Sequence, residues 1–237
     1  MPRQLECLLL HTIRFGDQGH ILKLLAADGE QVDAVISISS KAKSTKRAFL
    51  HPLSALNLVL SDSKSSGLPY ASQFSFQPHR SFVHAGPAQL ATALFVAEVL
   101  TRICQWQKGD AALYELSTRY LEEMLQPVNS SHLPILFLLE VIDWSGFLPE
   151  PPEPQNTNLV FGLQSAAFSP APGSGLEPVF STELSQIWID LIAHRALPPL
   201  AKQRRELLDA MVRFLEWHFD KPGSILSHRI FAEMSQA

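Results

Sequence analysis

The densest charge in this chain is a run of four cations in seven residues, Lys41, Lys43, Lys46 and Arg47, separated by small side chains. Side chains of this type at this spacing do one thing well, which is to neutralise phosphates. If all four met phosphates on a single strand, log affinity would fall against log salt with a slope of roughly −3. The alternative for the same residues is a solvated loop kept soluble by lysine.

A second group, Arg14, Phe15, His20 and Lys23, mixes cations with an aromatic ring. An exposed ring beside a guanidinium suits single-strand binding, because stacking a base on it contributes about 1–3 kcal/mol whatever the base. A Phe in a turn also serves as a lid on the core beneath it, and both readings stand at this point. A third group, Lys202, Arg204 and Arg205, opens a helical segment. Cations at a helix N-terminus oppose its dipole, so they either call for a compensating anion, such as a phosphate or an acidic peptide, or form an ordinary wet face.

Catalytic patterns are missing. The chain contains no G-x-x-x-x-G-K-[ST], G-x-S-x-G, H-E-x-x-H or G-x-G-x-x-G. Its nine histidines do not recur at ligand spacings, and His11 and His51 are expected on surfaces. Asp17 and His20 are close enough in sequence for acid–base work but have no nucleophile or metal motif beside them. We therefore expect no enzyme, no cofactor and no metal. The two cysteines, Cys7 and Cys104, are far apart and suit a reducing compartment rather than a disulfide framework.

These residues need a scaffold, and the hydrophobic period supplies one. Up to about Gln77 the chain alternates with period two. Val32, Ala34, Ile36 and Ile38 oppose Gln31, Asp33 and Ser37; Leu56, Leu58 and Leu60 oppose Asn57 and Ser61; Tyr70, Phe74 and Phe76 oppose Gln73, Ser75 and Gln77. Asp28-Gly29 reads as a two-residue type I′ hairpin. Five strands near 4–14, 19–27, 30–38, 53–62 and 70–77 suit a Greek-key barrel of the oligonucleotide-binding type, with an SH3-like barrel as the alternative.

After about Ser81 the period becomes helical. Pro87 to Trp106 is apolar nearly all round and is expected at the centre of a bundle. Further helices are predicted after the N-cap Asp110, from Pro134 to Gly146, from Ser181 to His194 and from Pro199 to Phe219, with a short one after Pro222-Gly223. Pro149 to Pro178 holds seven prolines, and within it Leu159–Phe161 and Ala166–Phe168 can form a small hairpin. The expected architecture is α+β in two domains, a five-stranded barrel over 1–80 and a helical domain over 81–237 with a proline-rich insertion near 149–178.

Composition agrees with a division of labour. Of 237 residues 46% are hydrophobic, enough for a sizeable core. The formal charge of −4 hides nine Lys and Arg against six acids in residues 1–80, a balance of +3, with −7 left for the remainder. The apolar run Cys7–Leu10 is shorter than a signal peptide's core, and no segment is expected to reach the roughly 18 apolar residues of a membrane span. We expect a cytoplasmic protein.

In order along nearly its whole length, the chain resembles the RecO family of bacterial recombination mediators. Leu9-Leu10-His11-Thr12 through Phe15-Gly16-Asp17-Gln18-Gly19-His20-Ile21-Leu22 is similar to that family's opening strand and turn, with Asp17 where a Glu is usual. Asp28-Gly29 matches its first hairpin, and Ser39 to Pro52-Leu53 its basic loop. Phe95-Val96-Ala97-Glu98-Val99-Leu100 resembles the central helix, Gly146-Phe147-Leu148-Pro149 the turn after the third helix, and Ile225-Leu226-Ser227-His228-Arg229 the start of the last helix.

Two departures stand out. Many members carry four zinc-binding cysteines after the Gly-Phe-x-Pro turn, whereas Glu150 to Pro178 has none, so zinc is not carried over. The glycine often found before the lysines is also missing, Ile36-Ser37-Ile38-Ser39 standing there.

The resemblance implies a non-enzymatic protein of DNA repair and the RecF pathway of recombination. It would bind single- and double-stranded DNA, anneal complementary strands, engage the C-terminal tail of the single-stranded-DNA-binding protein and work with RecR to load RecA. The DNA-contacting residues would be Arg14, Phe15, Lys23, Lys41, Lys43, Lys46 and Arg47, with Lys202, Arg204 and Arg205 as a second basic site. An RNA-binding factor on the same barrel and a protein-interaction scaffold are the alternatives.

Overall fold

The structure is a computed structural model and describes residues 2–16, 19–37, 50–61, 67–126, 131–153, 158–170, 179–221 and 223–230. The chain divides into two compact units, Met1–Ser131 and His132–Ala237.

The first unit opens with five strands, β1 (Arg3–Phe15), β2 (Gly19–Ala26), β3 (Gln31–Ser37), β4 (Ala55–Ser61) and β5 (Tyr70–Phe76). They close into a barrel in the order β1-β2-β3-β5-β4, antiparallel everywhere except the parallel seam between β3 and β5. This strand order makes it an oligonucleotide-binding (OB) type barrel, and the whole is α+β as expected. Alternation fills the interior from every strand: Leu5, Cys7 and Leu9, Leu22 and Leu24, Ala34 and Ile36, Leu56, Leu58 and Leu60, and Ala71. Burial pushes the Cys7 thiol up to about 12, so it is packing rather than a reactive thiol.

Two local expectations are corrected. The β2–β3 turn is a three-residue loop, since Gly29 N donates to Ala26 O (2.8 Å) and Ala26 N to Glu30 O (2.9 Å). Only Gly29 has positive φ, at 83°, which makes it the left-handed residue after a type I turn rather than half of a type I′ pair. In β5 the alternation breaks. Leu60 faces Ala71 while Val59 faces Gln73, so Ser72 is an extra, bulged residue. The bulge puts Ala71, Phe74 and Phe76 against the core and turns Tyr70, expected on the buried face, outward.

Two helices complete this unit, α1 (Pro87–Trp106) and α2 (Ala111–Leu125). Pro87 starts α1, and Asp110 caps α2 by accepting from Leu113 N at 3.0 Å. Helix α1 was expected at the centre of a bundle. It packs instead against β1 and α2, where Leu8 and Leu10 are buried outside the barrel interior. It is also long and apolar enough to cross a membrane by length and composition, which corrects the expectation that no segment reaches that threshold, but half of it is buried inside the fold.

Sequence period changes near residue 80, yet the compact units part at 131 because these helices are fastened to the barrel. A Cβ on Gly29 would sit 2.2 Å from the Asp110 backbone, so only glycine lets the hairpin tip meet the start of α2. Arg80 completes the fastening, bonding Glu122 of α2 and lying 3.8 Å from Glu6 of β1.

The second unit holds α3 (Leu133–Trp144), a hairpin of β6 (Leu159–Gly162) and β7 (Ala167–Pro170), α4 (Thr182–His194) and α5 (Ala201–His218), followed by a short 3-10 turn at Ser227–Arg229. Two four-residue strands are marginal alone. Here the Phe161 ring lies 4.7–5.6 Å from those of Phe168, Phe180, Trp188 and Phe214. Phe161 N also donates to Ser185 Oγ of α4 at 2.9 Å. Packing thus holds the hairpin without cysteine ligands.

Beyond α5, the buried Glu216 carboxylate accepts from Gly223 N (2.8 Å) and Ile225 N (2.6 Å), anchoring the chain that leads to the last turn. Nothing in the sequence pattern had marked this glutamate.

Candidate nucleic-acid interface

Register brings side chains from four strands into rows on the outer wall of the barrel. Ile13 of β1 faces Ile21 of β2, which faces Val35 of β3, which faces Tyr70 of β5. With strands about 4.8 Å apart, this row extends about 14 Å around the wall. On one side of it lies the row Phe15, Gly19 and Ser37, and on the other His11, Lys23 and Asp33.

The central row is apolar, and its two ends are open, as is Phe15 beside it. Phe15 is 50% exposed, Ile13 40% and Tyr70 40%, three of the most exposed large hydrophobics among the described residues. Gly19 makes room for the Phe15 carbonyl, which a Cβ there would meet at 2.5 Å. An exposed cluster of aromatic and aliphatic side chains of this kind is a candidate binding face. The lid reading of Phe15 gives way to an exposed ring.

The β1–β4–β5 wall, by contrast, is polar. Gln4, Glu6, Asn57, Gln73 and Ser75 border a shallow cavity of about 530 Å³ there. Chemically, the two walls suit different contacts, planar apolar groups on one and hydrogen-bonding groups on the other.

The cations predicted from sequence fare differently. Lys23 lies on the apolar wall, but its Nζ is 3.2 Å from Asp33 Oδ2 across the β2–β3 pair, so its charge is partnered within the fold. Arg14 is exposed but leaves β1 on the side opposite Phe15, in register with His20. Lys41, Lys43, Lys46 and Arg47 lie outside the described residues, as does Asp17.

In the second unit, Arg204 Nη1 donates to the carbonyls of Pro198 (2.9 Å) and Pro199 (2.6 Å), which answers the charge at the start of α5 locally. Lys202 pairs with Glu206 at 3.7 Å, and Arg205 is half-buried. The structure therefore brings Phe15 and Lys23 onto one wall and leaves the 202–205 group on a different unit.

Tyr70 is the residue that sequence reasoning missed. Its alternation with Phe74 and Phe76 pointed inward, and a signal for its true direction lies only in the extra residue at Ser72. Among the described residues, no group of three or more His, Cys, Asp or Glu side chains is placed to hold a metal. No protein-family model and no curated protein matches the chain.

Proposed function

We propose that this protein handles DNA without chemistry of its own, in the manner of the RecO mediators that its sequence resembles. The observation that carries the reading is the exposed group Ile13, Tyr70 and, in the neighbouring row, Phe15 on the outer β1-β2-β3-β5 wall of an OB-type barrel, the side on which such barrels take oligonucleotides. Bases stack on Phe15 and Tyr70 while lysines of the 41–47 segment neutralise phosphates, which lets a second, complementary strand approach and anneal. RecR and the tail of the single-stranded-DNA-binding protein are the protein partners of this reading.

Fluorescence anisotropy of a labelled single-stranded oligonucleotide across a salt series tests it. Phe15→Ala and Tyr70→Ala are expected to weaken binding at every salt concentration without changing the salt slope. Reversal of Lys41, Lys43, Lys46 and Arg47 to Glu is expected to flatten the slope. Absence of wild-type binding at low salt overturns the reading and leaves a protein scaffold, while preference for RNA of the same sequence in competition points to an RNA-binding factor.

A further inference from the structure

Helix α5 carries a stripe that is complementary to itself. Lys202, Glu206, Asp209, Arg213 and Trp217 follow one another at intervals of four, three, four and four, which places them on one helical face, and Asp220 continues the line just past the helix. All are exposed except Asp209, which is half-buried and 3.6 Å from His228 Nε2, while the Arg213 guanidinium lies 5.8 Å from the centroid of the Phe180 ring. Trp217 is 46% exposed, an unusual place for the largest apolar side chain.

Beside this stripe, α4 and α5 border a cleft of about 410 Å³ whose apolar lining comes from Val179, Phe180, Leu184 and Ile187 and whose α5 side is Glu206, Asp209 and Arg213. From the two observations we infer that α5 pairs with α5 of a second copy of this chain, antiparallel and about a two-fold axis that crosses the helix between Asp209 and Arg213.

The register follows from that centre. Asp209 of each copy faces Arg213 of the other, and Lys202 faces Asp220, so every contact occurs twice with charges opposed, as an isologous interface requires. Trp217 falls opposite Arg205, one residue before Glu206, and enters the cleft of the second copy against Val179, Leu184 and Ile187. The cleft is roomy enough for an indole. Exposed ion pairs add little affinity but select register, so the tryptophan supplies the attraction and the charges select the antiparallel arrangement. A parallel pairing would set Asp209 against Asp209 and Arg213 against Arg213. The inference is independent of what the barrel binds.

Sedimentation velocity of the full chain from about 1 to 100 μM, the range in which transient complexes form, tests it. The wild type is expected to pass from one chain mass to two. Asp209→Arg and Arg213→Asp each keep the protein monomeric, the double variant Asp209→Arg/Arg213→Asp restores the dimer, and Trp217→Ala raises the dissociation constant at least about tenfold. Arg213 and Trp217 are exposed, so their replacement leaves the fold intact, and circular dichroism checks this. A wild type that stays monomeric throughout overturns the inference. So does a dimer indifferent to Arg213→Asp and Trp217→Ala, or a double variant that remains as monomeric as the single ones.

Discussion

The two units use aromatic residues in opposite ways. The barrel closes its hydrogen-bond ladder on itself and fills its interior mainly with aliphatic side chains, which frees Phe15 and Tyr70 to stand on the outer wall. The second unit has only a two-stranded sheet of four-residue strands, and it buries Phe161, Phe180, Trp188 and Phe214 to hold that sheet against α4 and α5. Where backbone pairing is complete, aromatics are available for binding. Where it is meagre, they are needed for stability.

The sharpest way to break this contrast is to truncate one aromatic in each place. Phe161→Ala removes the ring shared by four neighbours and is expected to cost about 3–5 kcal/mol, read by denaturant unfolding followed through tryptophan fluorescence. Little change would mean that the hairpin is held by something other than the cluster. Phe15→Ala and Tyr70→Ala are expected to do the reverse, losing about 1–3 kcal/mol of single-strand affinity each with an unchanged unfolding midpoint. A drop in stability from either would make those rings structural.

Gly29→Ala probes the fastening of α2 to the barrel. It adds a methyl 2.2 Å from the Asp110 backbone at a position with φ of 83°. A destabilisation of more than about 1 kcal/mol is expected, with faster hydrogen exchange in 111–125.

The smallest effect belongs to pH. His218 stacks on Phe147 with ring centroids 4.7 Å apart and meets Phe214 at 4.5 Å. Burial lowers its pKa from the ordinary 6.5, against a raising contribution from the Leu163 backbone. The fold thus favours the neutral ring, and the unfolded chain binds the proton first. Its contribution to stability is complete above pH 6.5 and declines as the pH falls below that value. Urea midpoints between pH 7.5 and 5 are expected to fall more in the wild type than in His218→Phe, and parallel curves would remove His218 from the account.

Much of this architecture was legible beforehand. The five strands lie where period-two alternation put them, α2 begins at its Asp110 cap, and the 159–170 hairpin forms inside the proline-rich stretch. The aromatic residues that pack on this hairpin are spread over more than fifty positions, from Phe161 to Phe214, so no local pattern shows them as one cluster.

The sequence by itself determined the elements, because alternation, helical period and capping are short-range effects read within a turn or a strand. Tertiary structure alone decided what the elements present. Ser72 bulges where the pairing of β5 with β4 shifts register, and the bulge aims Tyr70 outward. Lys23 loses its free charge to Asp33 because β2 and β3 set them opposite one another. Helix α1 lies on a barrel wall rather than inside a bundle because Leu8 and Leu10 of β1 need cover. Each depends on residues distant in the chain becoming neighbours, and local sequence carries no record of which neighbours those will be.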